Sequence, residues 1–125
     1  MTDAAILALC GLHSVGFAAF HLAFWRLFRW REDLARTSPA TRAITQILNL
    51  RLIYVLLAVA AACFLLPEEL TGTRLGRGLL ACMSLFWVGR LAEQFVFLRI
   101  HHWLVHALTA LFALGAALFA WPLFR

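Results

Sequence analysis

The sequence predicts an all-α fold, an integral membrane bundle of four transmembrane helices joined by short loops, and two observations lead to it. Hydrophobic residues make up 64% of the 125 residues, whereas ordinary soluble domains are about half apolar. The apolar residues also fall into four runs, each long enough to cross a hydrocarbon core of about 30 Å, which takes roughly 20 helical residues. We place the helices at about residues 4–30, 39–66, 74–98 and 102–121, within a single domain over residues 1–125.

The charged residues fit a bilayer better than a nucleic acid. The formal net charge is +5, and all 11 basic residues are arginine. These arginines lie at the ends of the apolar runs and not along a polar face, which is typical of topology signals and lipid-phosphate contacts. We therefore expect the lipid bilayer as a partner and no nucleic acid.

The cysteines do not indicate redox chemistry. Cys10, Cys63 and Cys82 each lie alone inside an apolar run, and no CxxC occurs. This spacing is typical of small buried apolar side chains and not of a disulfide or a thiol metal site.

The first predicted span begins after Asp3 and carries His13 and His21 on roughly one face, because they are eight residues apart. Arginines and aromatic residues alternate over residues 25–36. Such a cluster is typical of a belt at the membrane interface.

The second predicted span begins at Ser38 and Pro39, which suit the N-cap and the first helical position. Arg51 points nearly opposite to its inward stripe, which comprises Asn49, Ile53, Leu56, Ala60 and Cys63. The proline and glycine in residues 67–73 predict a turn after this helix.

The third predicted span has a face of mostly small residues, which is the side that another membrane helix approaches. Glu93 continues this face, so we expect it in the interior, paired with Arg90 at i,i+3. The face consists of Gly78, Cys82, Leu85, Gly89 and Glu93.

The boundary between the third and fourth spans has no glycine or proline. Residues 74–121 are nevertheless too long for one crossing, so we expect a tight hairpin near residues 99–102. On the fourth span the same small-residue argument predicts a packing face made of His102, His106, Ala110, Ala113 and Ala117.

The distribution of arginine predicts the orientation. Six loop arginines lie on one side (Arg26, Arg29, Arg31, Arg36, Arg42 and Arg99), and three lie on the other (Arg74, Arg77 and Arg125). The positive-inside rule then places the first and third loops in the cytoplasm and both termini outside. We expect an integral protein of a bacterial-type cytoplasmic, or inner, membrane.

Each predicted helix contributes one polar group at a similar depth. At about 1.5 Å per residue, one group on each helix falls about 7 to 9 Å inside the cytoplasmic end of its span, and Arg90 falls about 13 Å inside. The candidate ligand-binding residues are these five, His21, Asn49, Arg90, Glu93 and His106, together with Gln94 from the same polar stretch as Glu93.

Three classes of function fit this polar level. The favoured one is a non-catalytic scaffold, accessory or interaction subunit, in which the polar groups hydrogen-bond between helices. Such a subunit acts as a homo-oligomer or within a larger membrane complex. The second class is binding or transport of a small molecule, in particular an anionic amphiphile attracted by arginine and histidine.

The third class is a metal or haem site, with a redox enzyme as one form of it. The candidate metal ligands are His21, Glu93, His102 and His106, since His102 and His106 at i,i+4 share a face. His21 and His106 are alternatively the two axial ligands of a haem. No catalytic residue is identified, because Ser14 and Ser84 have no visible triad partners.

Overall fold

The structure is a computed structural model that describes residues 2–125. It is 89% helical, and the described residues contain no strand. By length and composition, four helices within this part of the chain can cross a membrane. These observations confirm the all-α class and the four predicted spans.

The described residues form two compact units. The terminal unit contains residues 2–10 and 62–125, and the middle unit contains residues 11–61. The single domain over residues 1–125 stays a prediction.

The first long helix is shorter than predicted. Helix α1 spans Asp3–Leu22 and is followed by two single-turn helices, α2 (Phe24–Leu27) and α3 (Trp30–Asp33). Arg29 between them has φ 53°, in the left-handed region. The continuous helix over residues 4–30 was therefore wrong.

Aromatic contacts stabilise the interruption of the helix at Arg29, where the sequence has no glycine or proline. The ring of Phe24 packs edge-on against Phe28 at 4.8 Å and against Trp30 at 5.5 Å between centroids. The indole N–H of Trp25 donates to Gln46 Oε1 at 2.9 Å. A 3₁₀ turn, Leu34–Arg36, completes the connection.

Helix α4 spans Pro39–Leu65 and begins where the sequence predicts. The Thr41 backbone N–H donates to Ser38 Oγ at 3.2 Å, which makes Ser38 its N-cap. Most of the predicted inward stripe is also confirmed, because Asn49, Leu56, Ala60 and Cys63 are buried.

In the terminal unit, the segment predicted as a turn is helical. Helix α5 spans Pro67–Gly72, so the prediction of a turn over residues 67–73 was wrong. The sequence favours a helix N-terminus here for two reasons. Pro67 at the first position presets the helical φ. The carboxylates of Glu68 and Glu69 in the first turn interact favourably with the positive end of the helix dipole.

Helix α6 spans Arg74–Phe97, and helix α7 spans Trp103–Ala120. Thr73 Oγ1 caps α6 by accepting from Gly76 N at 2.9 Å. Residues 98–102 between the two helices are not helical, which confirms the predicted hairpin.

Side-chain bonds run along the α6–α7 pair in antiparallel order. Ser84 Oγ donates to the Ala116 carbonyl at 2.8 Å. At the far end, Arg77 donates to the carbonyls of Pro122 and Leu123, at 3.4 and 2.9 Å, in the 3₁₀ turn Trp121–Phe124. Arg125 forms an ion pair with Asp3 at 3.0 Å.

The inward faces of α6 and α7 are not the predicted small-residue faces. Trp87 stacks on Phe112 at 5.7 Å between centroids, and large side chains fill most of the space between the helices. The buried positions are Gly76, Leu80, Trp87 and Gln94 on α6, and Leu108, Phe112, Gly115 and Phe119 on α7. Both predicted packing faces were wrong, since Gly78, Gly89, Ala110, Ala113 and Ala117 are all exposed.

Candidate functional site

The α6–α7 hairpin encloses a cleft at the end where residues 98–102 connect the helices. We call it the hairpin cleft. Its volume is about 310 Å³, at the lower end of the range of about 300 to 1,000 Å³ for small-molecule pockets. Its lining consists of Gln94, Phe95, Leu98, Arg99, Ile100, His101, Val105, His106 and Thr109.

Gln94 is the buried polar group of this cleft, with 2% of its surface exposed. Its Nε2 donates to the Val105 carbonyl across the hairpin at 3.1 Å, which fixes the orientation of the amide. Its Oε1 is buried and has no hydrogen-bond partner among the described residues. Burying a hydrogen-bond acceptor without a donor costs free energy, so Oε1 favours a ligand group that donates a hydrogen bond.

Arg99 lies two residues after the end of α6, and one nitrogen of its guanidinium already makes a hydrogen bond. Its Nε donates to the Phe95 carbonyl at 3.0 Å, one of the carbonyls that a helix end leaves without a donor. The two terminal nitrogens make no hydrogen bond to the described residues, so they remain able to bind a planar anion in a bidentate way.

Two imidazoles complete the polar side of the cleft. The rings of His101 and His106 are 5.8 Å apart between centroids. The neighbouring His102 has a structural task, since its Nδ1 accepts from Leu104 N at 3.1 Å and caps α7. Val105 and His106 belong to the first turns of α7, so the positive end of that helix dipole lies beside the cleft.

The level of the cleft in a bilayer follows from its backbone. Non-helical backbone exposed to lipid is not tolerated within the hydrocarbon region, because its polar groups have no partners there. Residues 98–102 therefore lie at the membrane–water boundary, where lipid phosphates are found. Phe95 and Ile100 beside the cleft are 62% and 57% exposed.

Two of the six candidate ligand-binding residues, Gln94 and His106, line this cleft. His106 is exposed, so its predicted position in the interior was wrong. Its place on the cleft wall keeps it as a candidate.

Arg90 and Glu93 do not form the predicted pair. The Arg90 guanidinium carbon lies 4.6 Å from the centre of the Phe112 ring, a cation–π contact. Glu93 is exposed, and no ion pair of it occurs among the described residues. The interior position predicted for Glu93 was therefore wrong.

His21 and Asn49 meet within the middle unit. Asn49 Nδ2 donates to the His21 carbonyl at 2.9 Å, so this contact uses the backbone of His21. The imidazole Nδ1 of His21 lies 2.7 Å from the Phe17 carbonyl, and the ring packs 4.4 Å from Phe24 between centroids. Both groups hold the end of α1 in place.

The metal hypothesis gains no support from the arrangement of possible ligands. Among residues 2–125, no three or more His, Cys, Asp or Glu side chains gather where they could hold one metal ion. The set of His21, Glu93, His102 and His106, like the haem alternative, stays a prediction.

Sequence reasoning missed Arg99, His101 and Thr109 as residues of a site. Arg99 was counted only as a topology signal, and Thr109 lies among apolar residues. The signal that could have found the first two is their position, since cations in a short hairpin between two spans lie at the phosphate level.

A second cleft of about 420 Å³ lies at the turn from α4 to α5, lined by Phe64, Leu65, Leu66, Pro67, Glu68 and Glu69. These residues are consecutive in sequence, so this cleft is the concave side of one bend. None of its polar side chains is buried.

Four helices of membrane-spanning length and composition define the class, an integral membrane protein. No family model, curated protein or solved structure matches the chain.

Proposed function

We propose that the protein binds the anionic headgroup of a membrane amphiphile in the hairpin cleft. The observation that carries the proposal is the composition of this one cleft. Arg99 and two imidazoles line it beside exposed apolar side chains, at the membrane–water boundary.

The polar side of the cleft suits a phosphate or carboxylate. Arg99 offers two terminal nitrogens, His101 and His106 offer ring N–H groups, and the α7 N-terminus adds positive potential. The described lining contains no acidic side chain. The field within the cleft therefore attracts anions.

The apolar side suits an acyl chain. Phe95, Leu98, Ile100 and Val105 line the same cleft, and Phe95 and Ile100 are also exposed on the outer surface. An amphiphile can keep its chain in the bilayer while its headgroup enters the cleft. Binding a free anion would leave this apolar lining unused.

The test is lipid retention by the purified protein, measured by native mass spectrometry after exchange into mixed phosphatidylglycerol and phosphatidylcholine. The wild type is expected to retain the anionic lipid. Because a charged hydrogen bond contributes about 1.5 to 3 kcal/mol, the double variant Arg99→Gln/His101→Ala should bind it at least about tenfold more weakly.

The matched control is Arg74→Gln, which removes an exposed arginine at the opposite end of α6. It should retain the anionic lipid like the wild type. Equal retention by the double variant, or no preference of the wild type for the anionic lipid, would contradict the proposal.

A second candidate function is that of a non-catalytic scaffold or accessory subunit. The exposed small-residue faces of α6 and α7 favour it, because such faces are typical of contacts between membrane helices. Recovery of a stoichiometric partner with the gently solubilised protein would support this role, and recovery of the chain alone would count against a larger complex.

We also propose that both termini lie outside a cytoplasmic membrane of bacterial type, with the hairpin cleft on the cytoplasmic side. The arginine count around the loops supports this orientation.

A further inference from the structure

An acidic side chain on the outer surface of α6 has no partner within the chain's described part. Glu93 is exposed and makes no hydrogen bond or ion pair to residues 2–125. Its i+3 and i+4 neighbours, Val96 and Phe97, are 60% and 81% exposed and share its side of the helix. A carboxylate surrounded by lipid-facing side chains carries a cost of a few kcal/mol, so it favours a partner.

The surface beside Glu93 leaves room for another helix. A Cβ atom placed on Gly78 or Gly89 would meet no heavy atom within 4 Å. Cys82, between them, is also exposed. Small residues without neighbours allow close approach of a second backbone, and here that surface ends at an unpaired acid.

The chain also carries the complementary charge on an outer surface. Arg51 is exposed in the middle of α4, and its i+3 and i+4 neighbours Tyr54 and Val55 are 63% and 45% exposed. Its guanidinium lies 5.6 Å from the centre of the Tyr54 ring. No carboxylate of residues 2–125 pairs with it.

Each charge lies at a similar distance from the end of its own apolar run. Arg51 is seven residues inside Ile44, where the apolar part of α4 begins, and Glu93 is six residues inside Arg99. At about 1.5 Å per residue, these separations are about 10.5 Å and 9 Å, each counted along its own helix.

We propose that a second copy of this chain docks on the outer surface of α6, so that Arg51 of one copy pairs with Glu93 of the other. One sequence supplies both charges, both are exposed, and each lies about 10 Å inside the end of its own apolar run. A copy is therefore a partner with the required cation already in position, and the pairing removes two unpaired charges from lipid at once.

Charge reversal tests this inference. Self-association is measured by Förster transfer between labelled copies in liposomes over a range of protein-to-lipid ratios. Glu93→Arg alone and Arg51→Glu alone should each weaken association at least about tenfold, because each creates pairs of like charges. Arg31→Glu, which reverses an exposed arginine outside the four spans, should leave it unchanged.

Mixing the two reversed variants separates docking from misfolding. A copy carrying Glu93→Arg and a copy carrying Arg51→Glu present complementary charges to one another, so the mixture should regain association that neither variant shows alone. Two variants that merely misfold would not recover on mixing.

Three results would overturn the inference: a wild type that is monomeric at every ratio, single reversals without effect, or a mixture that stays dissociated. The last result would assign Arg51 and Glu93 to lipid headgroups or to a different protein.

Discussion

Gln94 and Glu93 differ by one position, and the fold treats them in opposite ways. One residue turns a helix by about 100°, so only one of two neighbours can face α7. The amide of Gln94 is neutral and gives one hydrogen bond to the Val105 carbonyl. A carboxylate in the same place would face that carbonyl without a proton to donate, so burying the glutamine costs less free energy.

Gly76 permits a close backbone approach between α6 and α5 in the terminal unit. A Cβ atom here would collide with the Glu69 carbonyl oxygen and with the backbone of Leu70 in α5. We expect Gly76→Ala to lower the free energy of unfolding by about 1 to 3 kcal/mol, because backbone cannot move aside as a flexible side chain can. Thermal unfolding in detergent micelles, followed by tryptophan fluorescence, measures the change.

Gly16→Ala is the matched control, since it makes the same chemical change within a long helix, α1, where a new Cβ meets no heavy atom within 4 Å. It should unfold at the wild-type temperature or slightly above it. Equal destabilisation by both variants would refute the assignment of close packing to Gly76.

At the scale of helices, the end of α1 is stabilised by a residue from α4. The last carbonyls of a helix have no donor within that helix. The His21 carbonyl, one residue before the end of α1, instead receives the Asn49 side chain at 2.9 Å. Asn49 is 6% exposed, so water replaces this donor poorly.

We expect Asn49→Ala to destabilise this helix end by about 1 kcal/mol, the usual contribution of such a hydrogen bond. Hydrogen exchange of the amides over residues 20–28 should become faster, while exchange in α7 stays unchanged. Leu48→Ala, at the adjacent and 63% exposed position, serves as the control. Unaltered exchange over residues 20–28 in Asn49→Ala would show that the hydrogen bond from Asn49 to the His21 carbonyl does not stabilise the end of α1.

For the molecule as a whole, an even number of spans requires that the chain begin and end on one side of the membrane. Four helices can cross, and the arginine count favours the outside for both ends. The hairpin cleft, one crossing away from the C-terminus, would then open to the cytoplasmic leaflet, which carries most of the anionic lipid.

Reporter fusions test this orientation. A reporter active only outside the cytoplasm should work when joined to either terminus and fail when inserted at Thr37, and a reporter fluorescent only in the cytoplasm should show the reverse. Termini on opposite sides would contradict four crossings, and both termini inside would contradict the arginine argument alone.

The sequence by itself determined the four spans, the start of α4 at Ser38 and Pro39, and the hairpin over residues 98–102. Each of these follows from local causes, since the transfer of an apolar run into lipid depends on its length and composition, and an N-cap depends on a few adjacent residues. Gln94 and His106 were found in the same way, as polar residues in an apolar stretch.

Only the tertiary structure decided which faces of α6 and α7 turn inward, where α1 ends, and that a cleft forms at the hairpin. Small residues and large aromatic residues both offer a packing face, and the choice depends on how the two helices fill the space between them. The Trp87–Phe112 stack fills it, which leaves Gly78, Gly89 and Glu93 on the outside. Because that competition involves contacts between residues distant in sequence, the periodicity of either helix alone does not reveal its outcome.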